Sequence, residues 1–282
     1  MNNRVRILHV VGGMNRGGAE TLIMNVYRKI DRNRFQFDFA VNTEQTCHYD
    51  AEIRKLGGRI YPHPAPNIVG LRPYLQSFTE TLRKYGPFDV VHSHVHNFSG
   101  FILQAAYKEG IRKRISHSHS TQDGRKDSLI RRIYRSYTRK LINKYATHMI
   151  GCSKLACESL FGKKCWQDSR TQIIANGIDL KPYEHLSAQD RSSLREKLSL
   201  PVNGTLIGHI GRFDPVKNHR FLIDIFESLQ KKIPDAHLLL IGDGPLKSEI
   251  QNIVHHKGLD SNVHLLGIRS DIPELLNCLD IF

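Results

Sequence analysis

Short apolar runs alternate with longer stretches of helical period along almost the whole of this chain. That pattern leaves few architectures other than repeated strand-helix units feeding a parallel sheet. Strands are predicted at Val5 to Val11, Phe35 to Val41, Phe88 to His92, Arg114 to His117 and His148 to Cys152, with Gln172 to Asn176 leading out of that series. A second series begins at Thr205 to Gly211 and continues at His237 to Gly242 and Val263 to Gly267. The fold class is α/β, with two Rossmann-like, doubly wound parallel-sheet domains. The first is expected over residues 1–176 and the second over 205–282. A connecting segment, 177–204, is marked by Asn176-Gly177, Lys181-Pro182 and the Pro201, Asn203, Gly204 cluster, with a short helix near Ser187 to Leu198. Leu275 to Asp280 reads as a helix, and Ile281-Phe282 as the first two residues of a further buried strand, so the second domain is expected to be incomplete and the chain shortened.

The chain's 282 residues suit about two domains. With 41 Lys and Arg against 27 Asp and Glu, the formal charge of +14 points to a polyanionic partner. No apolar run of about 18 residues is present to span a bilayer, and the polar N-terminus does not read as a cleaved leader, so a cytoplasmic location is expected. Cys47, Cys152, Cys157, Cys165 and Cys278 are unevenly spaced without a Cys-x-x-Cys pair, which favours reduced thiols over a disulfide framework or a zinc finger.

Three groups of residues carry chemistry. The first strand runs into Gly12-Gly13-Met14-Asn15-Arg16-Gly17-Gly18-Ala19-Glu20, where backbone can approach a phosphate at a helix N-terminus. The alternative is a tight turn that needs positive φ. No acidic residue closes the second strand as a dinucleotide ribose site requires, because Asp38 lies inside it. In the second half, Arg212 and Lys217 follow a strand's C-terminal end, the edge at which open sheets bind ligands, and an Arg fork with a Lys point charge suits a diphosphate. The next two strands end in Gly242-Asp243-Gly244-Pro245 and Gly267-Ile268-Arg269-Ser270-Asp271, which favours one continuous pocket. Histidines recur at His92, His94 and His96, and again at His117 and His119. Contacts to a hydroxylated substrate, satisfaction of loop backbone and metal binding are the three readings, the last lacking a nearby carboxylate.

Residues 125–144 carry Arg125, Lys126, Arg131, Arg132, Arg135, Arg139, Lys140 and Lys144 around Leu129, Ile133, Tyr137 and Leu141. The plain expectation is a helix packing that apolar stripe on the first sheet. The functional one is a cationic face, through Arg131, Arg135, Arg139 and Lys140, meeting an anionic membrane surface or lipid diphosphate. No finger, helix-turn-helix or aromatic platform accompanies the charge, so nucleic acid is not the expected partner.

Five motifs together resemble a known family. They are Gly17-Gly18-Ala19-Glu20, Val90-Val91-His92-Ser93-His94, Ile174-Ala175-Asn176-Gly177-Ile178-Asp179, Gly211-Arg212-Phe213 with Lys217-Asn218, and Gly242-Asp243-Gly244-Pro245. In order and spacing they resemble the retaining glycosyltransferases of the two-domain GT-B type in the family-four group, especially the bacterial members of exopolysaccharide and capsule assembly. The resemblance covers essentially the full length. It implies two domains facing across a cleft and transfer of a sugar from a nucleotide diphosphate sugar, UDP being usual, to a hydroxyl of a glycan or lipid-linked acceptor. It implies no metal and no other cofactor. Arg212 and Lys217 match the pair that holds the diphosphate, and His94 the histidine beside the donor sugar, which makes these three the candidate catalytic residues. Gly17 and Gly18, His119, Asp243 and Gly244, and the backbone near Ile268 and Arg269 match donor-binding positions. Family members continue past Phe282 into a segment with two glutamates seven residues apart and a final helix. Two further readings are a shortened, non-catalytic binding subunit and a nucleotide-sugar epimerase of the same architecture.

Overall fold

The computed structural model describes residues 4–121, 127–183 and 188–282. The chain divides into two compact units, Met1–Ile178 and Asp179–Phe282. The first holds strands β1 (Val5–Val11), β2 (Phe35–Val41), β3 (Ile60–Pro62), β4 (Val90–Ser93), β5 (Lys113–Ser118), β6 (His148–Gly151) and β7 (Thr171–Ile173). Its helices are α1 (Gly18–Lys29), α2 (Asp50–Lys55), α3 (Pro66–Val69), α4 (Leu71–Tyr85), α5 (Ser99–Lys108), α6 (Leu129–Tyr145) and α7 (Lys154–Phe161). The second unit holds α8 (Ala188–Lys197), β8 (Leu206–Ile210), α9 (His219–Gln230), β9 (His237–Ile241), α10 (Lys247–His256), β10 (Val263–Gly267) and α11 (Ile272–Cys278).

All ladders between named strands are parallel, in the orders β3-β2-β1-β4-β5-β6-β7 and β10-β9-β8. The α/β expectation therefore holds. Alternation along β1 sorts its residues to two layers. Val11 packs with Phe37, Phe39 and Val41 of β2 and with Ile23, Met24 and Tyr27 of α1. Leu8 and Val10 face the opposite layer, built with Tyr74 and Phe78 of α4, Ile102 and Leu103 of α5, Ile142 of α6 and Leu160 of α7. The second sheet is likewise covered on both faces. Leu238 and Leu240 meet α9 and α10 through Ile223, Phe226, Ile250 and Val254, while Leu206, Leu239 and Ile241 meet Leu275 and Cys278 of α11.

Several expectations are corrected. Strand β3 has no counterpart in the sequence reading, being three residues at a sheet edge that end in proline. Strand β7 covers Thr171–Ile173, not Gln172 to Asn176, because its pairing with β6 stops at Ile173. Helix α11 starts at Ile272 because Pro273 suits a first helical turn, and it ends at Cys278. Ile281 bridges Ile207 in parallel beside β8.

The apolar stripe of α6 is not buried as a stripe. Leu129, Ile133 and Tyr137 are 71%, 62% and 53% exposed; of the stripe only Leu141 is buried, beside Thr138 and Ile142. A strict four-residue spacing advances about 40° per step around a helix, so over the three steps from Leu129 to Leu141 the stripe turns by about 120°. The contact with α5 runs through Gly100, where an added Cβ would stand 2.7 Å from the Thr138 carbonyl oxygen. Arg125 and Lys126 lie outside the described residues, as does Ser187.

The stretch between the two sheets packs on the second. Arg195 of α8 is 5% exposed and donates through Nε and Nη2 to the Cys278 carbonyl (3.0 and 2.8 Å), through Nη1 to that of Val202 (3.1 Å), and through Nη2 to Asp280 Oδ2 (2.8 Å). Asp280 Oδ2 also accepts from the Leu206 amide at the start of β8 (2.8 Å). Removing the cation leaves the Cys278 and Val202 carbonyls without that donor, while Asp280 keeps Arg191 (2.9 Å) and the Leu206 amide, so Arg195→Ala is expected to destabilise the second unit by about 2 kcal/mol. Urea unfolding followed by circular dichroism reads this as a lowered midpoint, and an unchanged midpoint contradicts it.

Candidate functional site

In the second unit, loops leaving successive parallel strands are fastened to one another. The Gly211 amide donates to Ile241, Gly242 to Gly267, Phe213 to Asp243 and Leu246 to Phe213, at 2.9, 2.9, 3.0 and 3.1 Å. Such contact requires glycine. Gly242 has φ 142° and a Cβ there would stand 2.1 Å from the Gly211 oxygen, while one on Gly244 would stand 2.5 Å from that of Phe213. Arg212 and Lys217 emerge from this stitched edge. Both are exposed, and neither has an ion-pair partner among the described residues. Lys217 closes a single 3-10 turn, Pro215–Lys217, and Asn218 in the left-handed region (φ 49°, ψ 44°) redirects the chain into α9. The two cations therefore stand on a fixed platform with their charge uncommitted.

The other expected donor residues of this unit differ in character. The Asp243 carboxylate accepts from the Gly244 amide (2.7 Å) and pairs with Lys247 (3.0 Å), which sets the turn. Arg269 is paired with Asp271 through both carboxylate oxygens. Ile268 is largely exposed and follows Gly267, whose φ is 66°. Two residues escaped the sequence reading. His209 of β8 and His219 at the start of α9 stand edge to face at 5.0 Å, with His209 Nε2 and both His219 ring nitrogens buried without a hydrogen-bond partner among the described residues. Burial holds both below the usual histidine range, and the Lys217 charge adds to this.

In the first unit, none of Gly12, Gly13, Gly17 and Gly18 has positive φ, so the tight-turn reading of this loop fails. A Cβ on Gly12 or Gly18 would meet nothing within 4 Å, so space at the start of α1 is open. Gly17 is the N-cap, and a Cβ on it would lie 2.3 Å from the Glu20 carboxylate. Burial raises the Glu20 pKa. This helix N-terminus thus already carries a carboxylate, which an incoming phosphate would have to displace.

The histidines converge more than their spacing indicated. In register, His9 of β1 lies beside His92 of β4, and residues two apart share a sheet face. Their rings form one array: His9 to His92 5.1 Å, His92 to His94 4.2 Å, His92 to His117 5.4 Å, His117 to His119 4.0 Å. His94 is the hub. Its Nε2 lies 3.0 Å from His9 Nδ1 and its Nδ1 lies 2.8 Å from His119 Nε2. His96 does not join them, because β4 ends at Ser93 and His96 turns away with φ 49° to contact Asn97 (2.9 Å). Sequence reasoning missed His9, hidden in an apolar strand. Burial is the first cause that holds all five neutral: His9 falls to about 3, His117 to about 2, His119 to about 4, and His92 and His94 lie well below the usual range, with neighbouring imidazoles adding to it for every ring but His119.

Residues 16–182 match the family described as Glycosyltransferase Family 4, and residues 190–282 the one described as Glycosyl transferases group 1. EpsF of Bacillus subtilis (strain 168), which carries a glycosyltransferase name, is 35% identical over 281 residues, covering 100% of this chain and 73% of EpsF. The chain belongs to the family-four glycosyltransferases. A capsular polysaccharide biosynthesis glycosyltransferase, CapH of Staphylococcus aureus, is 24% identical over 93% of this chain and 70% of its own length. Among solved structures, Anabaena HepE in complex with UDP and glucose superposes with a TM-score of 0.76 at 22% identity, over 98% of this chain and 73% of that one. WaaG, a glycosyltransferase involved in lipopolysaccharide biosynthesis, gives 0.72 at 15% identity over 98% and 73%. These likenesses place the glycosyltransferase in the GT-B fold.

The neutral histidines are expected to make this glycosyltransferase acid-sensitive. Their folded pKa values lie below the unfolded value of about 6.5, so between pH 6.5 and 4 the unfolded chain binds more protons and stability falls as pH falls. Urea midpoints at pH 7.5 and 5.0 are expected to drop, with more than one proton taken up per unfolding event. A flat midpoint over that range contradicts it.

Proposed function

We propose that this glycosyltransferase moves a sugar from a nucleotide diphosphate sugar, of the UDP class, to a hydroxyl of a glycan or lipid-linked acceptor in bacterial surface polysaccharide assembly, with retention at the anomeric carbon. The observation that carries the reading is the pair of unpartnered cations, Arg212 and Lys217, on the glycine-stitched edge of the second sheet. A UDP-bound relative of the same fold and a capsule-forming relative support the donor and the pathway class. In this reading the Arg212 fork and the Lys217 ammonium neutralise the diphosphate when it binds and stabilise the charge that grows on the leaving phosphate. A leaving phosphate oxygen then takes the acceptor's proton on the same face, so no protein nucleophile is needed and the chain acts by positioning and charge. Gly17, Gly18, His94 and His119 are assigned to the donor's sugar and phosphates, and Asp243, Gly244, Ile268 and Arg269 to its nucleotide. Since both ring nitrogens of His94 are held by His9 and His119, its contact with a sugar requires one of those bonds to open.

Calorimetric titration of the chain with UDP tests the donor site. Charged hydrogen bonds are worth about 1.5–3 kcal/mol, so Arg212→Ala and Lys217→Ala are each expected to weaken UDP by about tenfold and together by about 100-fold. Equal affinity in the double variant overturns the assignment.

Helix α6 supports a peripheral membrane location at the cytoplasmic face. No helix among the described residues is long and apolar enough to cross a membrane. Leu129, Ile130 and Ile133 are more than half exposed beside Arg131, Arg135 and Lys140, an arrangement suited to an anionic interface. Arg139 is excluded from that role, because its guanidinium donates to the Ser159 and Leu160 carbonyls at 2.9 and 3.1 Å. Arg135 is paired with Asp127 at 2.8 Å, which leaves it a shared charge. Co-sedimentation is expected to rise with the anionic lipid content of vesicles and to fall in an Ile130→Asp, Ile133→Asp variant. Insensitivity to both removes the membrane from the account.

A further inference from the structure

Five imidazoles gathered in one buried array are costly unless something uses their lone pairs. His9 is 3% exposed and His117 is 4% exposed. Among the described residues, His9 Nε2, His92 Nε2, both nitrogens of His117 and Nδ1 of His119 have no hydrogen-bond partner. A buried polar group left unsatisfied costs about 1–3 kcal/mol. Nothing in the donor reading accounts for His9, His92 or His117.

We infer that the ends of β4 and β5 form a binding site for a zinc-class divalent ion, with His94, His117 and His119 as its three protein ligands. One nitrogen from each lies within 4.8 Å of the others, as also holds for His9, His92 and His94. The first triad is the better site because His94 and His119 follow the strand ends and remain partly exposed, whereas His9 lies in mid-strand. Access to solvent supplies the fourth, non-protein ligand that such a three-histidine site keeps open. Neutral imidazole is the ligating form, and nitrogen donors without carboxylates suit a borderline ion rather than calcium or magnesium.

The His94–His119 pair needs only a small adjustment, and the His117 nitrogen, within 4.8 Å of theirs, must close toward them. His94 Nδ1 and His119 Nε2 are 2.8 Å apart around a shared proton. A tetrahedral ion about 2.0–2.1 Å from each sets them about 3.3 Å apart, an opening of about half an ångström. The protons then rest on His119 Nδ1 and on His94 Nε2, which donates to His9 Nδ1, so binding needs no net proton release and His9 orients the hub ligand from behind. An ion held there withdraws His94 and His119 from a sugar. That consequence rests on the donor reading, whereas metal binding itself does not.

Cobalt(II) titration of the whole chain, read by visible absorption, tests the site, with zinc competition and calorimetry for stoichiometry. The expected result is one ion per chain with the intense bands of a tetrahedral or five-coordinate site, displaced by zinc. Affinity is expected to fall at least tenfold in His119→Gln and in His117→Ala, with far-ultraviolet circular dichroism confirming folded protein. His119→Gln, at a strand end, keeps the test valid where His117→Ala fails to fold. Absent bands, or binding equal in His119→Gln and wild type, overturn the proposal, the latter placing the ion on a surface pair such as His255 and His256. UDP affinity, measured separately through Arg212 and Lys217, distinguishes failure of this site from failure of the donor reading.

Discussion

Everything functional in this chain depends on the parallel direction of its strands. Parallel ladders need a crossover for each new strand, and those crossovers deliver the C-terminal end of every strand to the same edge. In the first unit that edge receives the Gly12–Gly18 loop, His94 and His119. In the second it receives Arg212, Asp243 and Ile268. The backbone hydrogen bonds that run from Gly211 to Ile241 and from Gly242 to Gly267 bring those exits close together, and glycine at 242 and 244 is what allows such proximity.

The two units use that edge in opposite electrostatic ways. The second presents two exposed cations with no counter-ion among the described residues, so their charge remains available to an anion. Its other charged groups there, Asp243 with Lys247 and Arg269 with Asp271, are already satisfied by one another and shape the loops. The first unit presents imidazoles that burial and mutual proximity hold neutral. Neutral rings offer lone pairs and N–H groups without charge, which suits hydroxyl groups or a metal ion and is poor for a phosphate. The proposed division of labour, with charge binding in the second unit and hydrogen bonding in the first, rests on these environments.

Much of this was legible in the sequence, and the failures have physical causes. Strands β1, β2 and β10 were read with their observed limits because apolar runs bounded by Gly, Asn or Asp report burial on both faces. β3 is too short to leave a pattern. The α6 stripe misled because spacing records what a helix could bury but not whether anything covers it, and here Thr138 and Leu141 lie against α5 while Leu129 and Ile133 do not. Arg212 and Lys217 were recognisable as strand-end cations, and the structure adds that they have no ion-pair partner among the described residues. Asp243 carried a similar sequence signal, and the structure adds that its carboxylate is held by the Gly244 amide and Lys247. His9 was invisible because only strand order, with β1 beside β4, brings it to His92 and His94.

The central claim is that the loops leaving β8, β9 and β10 form the nucleotide diphosphate site. Amide hydrogen exchange on the whole chain, with and without saturating UDP, tests it most directly. The account predicts slowed exchange concentrated at residues 211–218, 242–246 and 267–269. Slowing confined to other segments, with these loops unchanged at saturation, would contradict it.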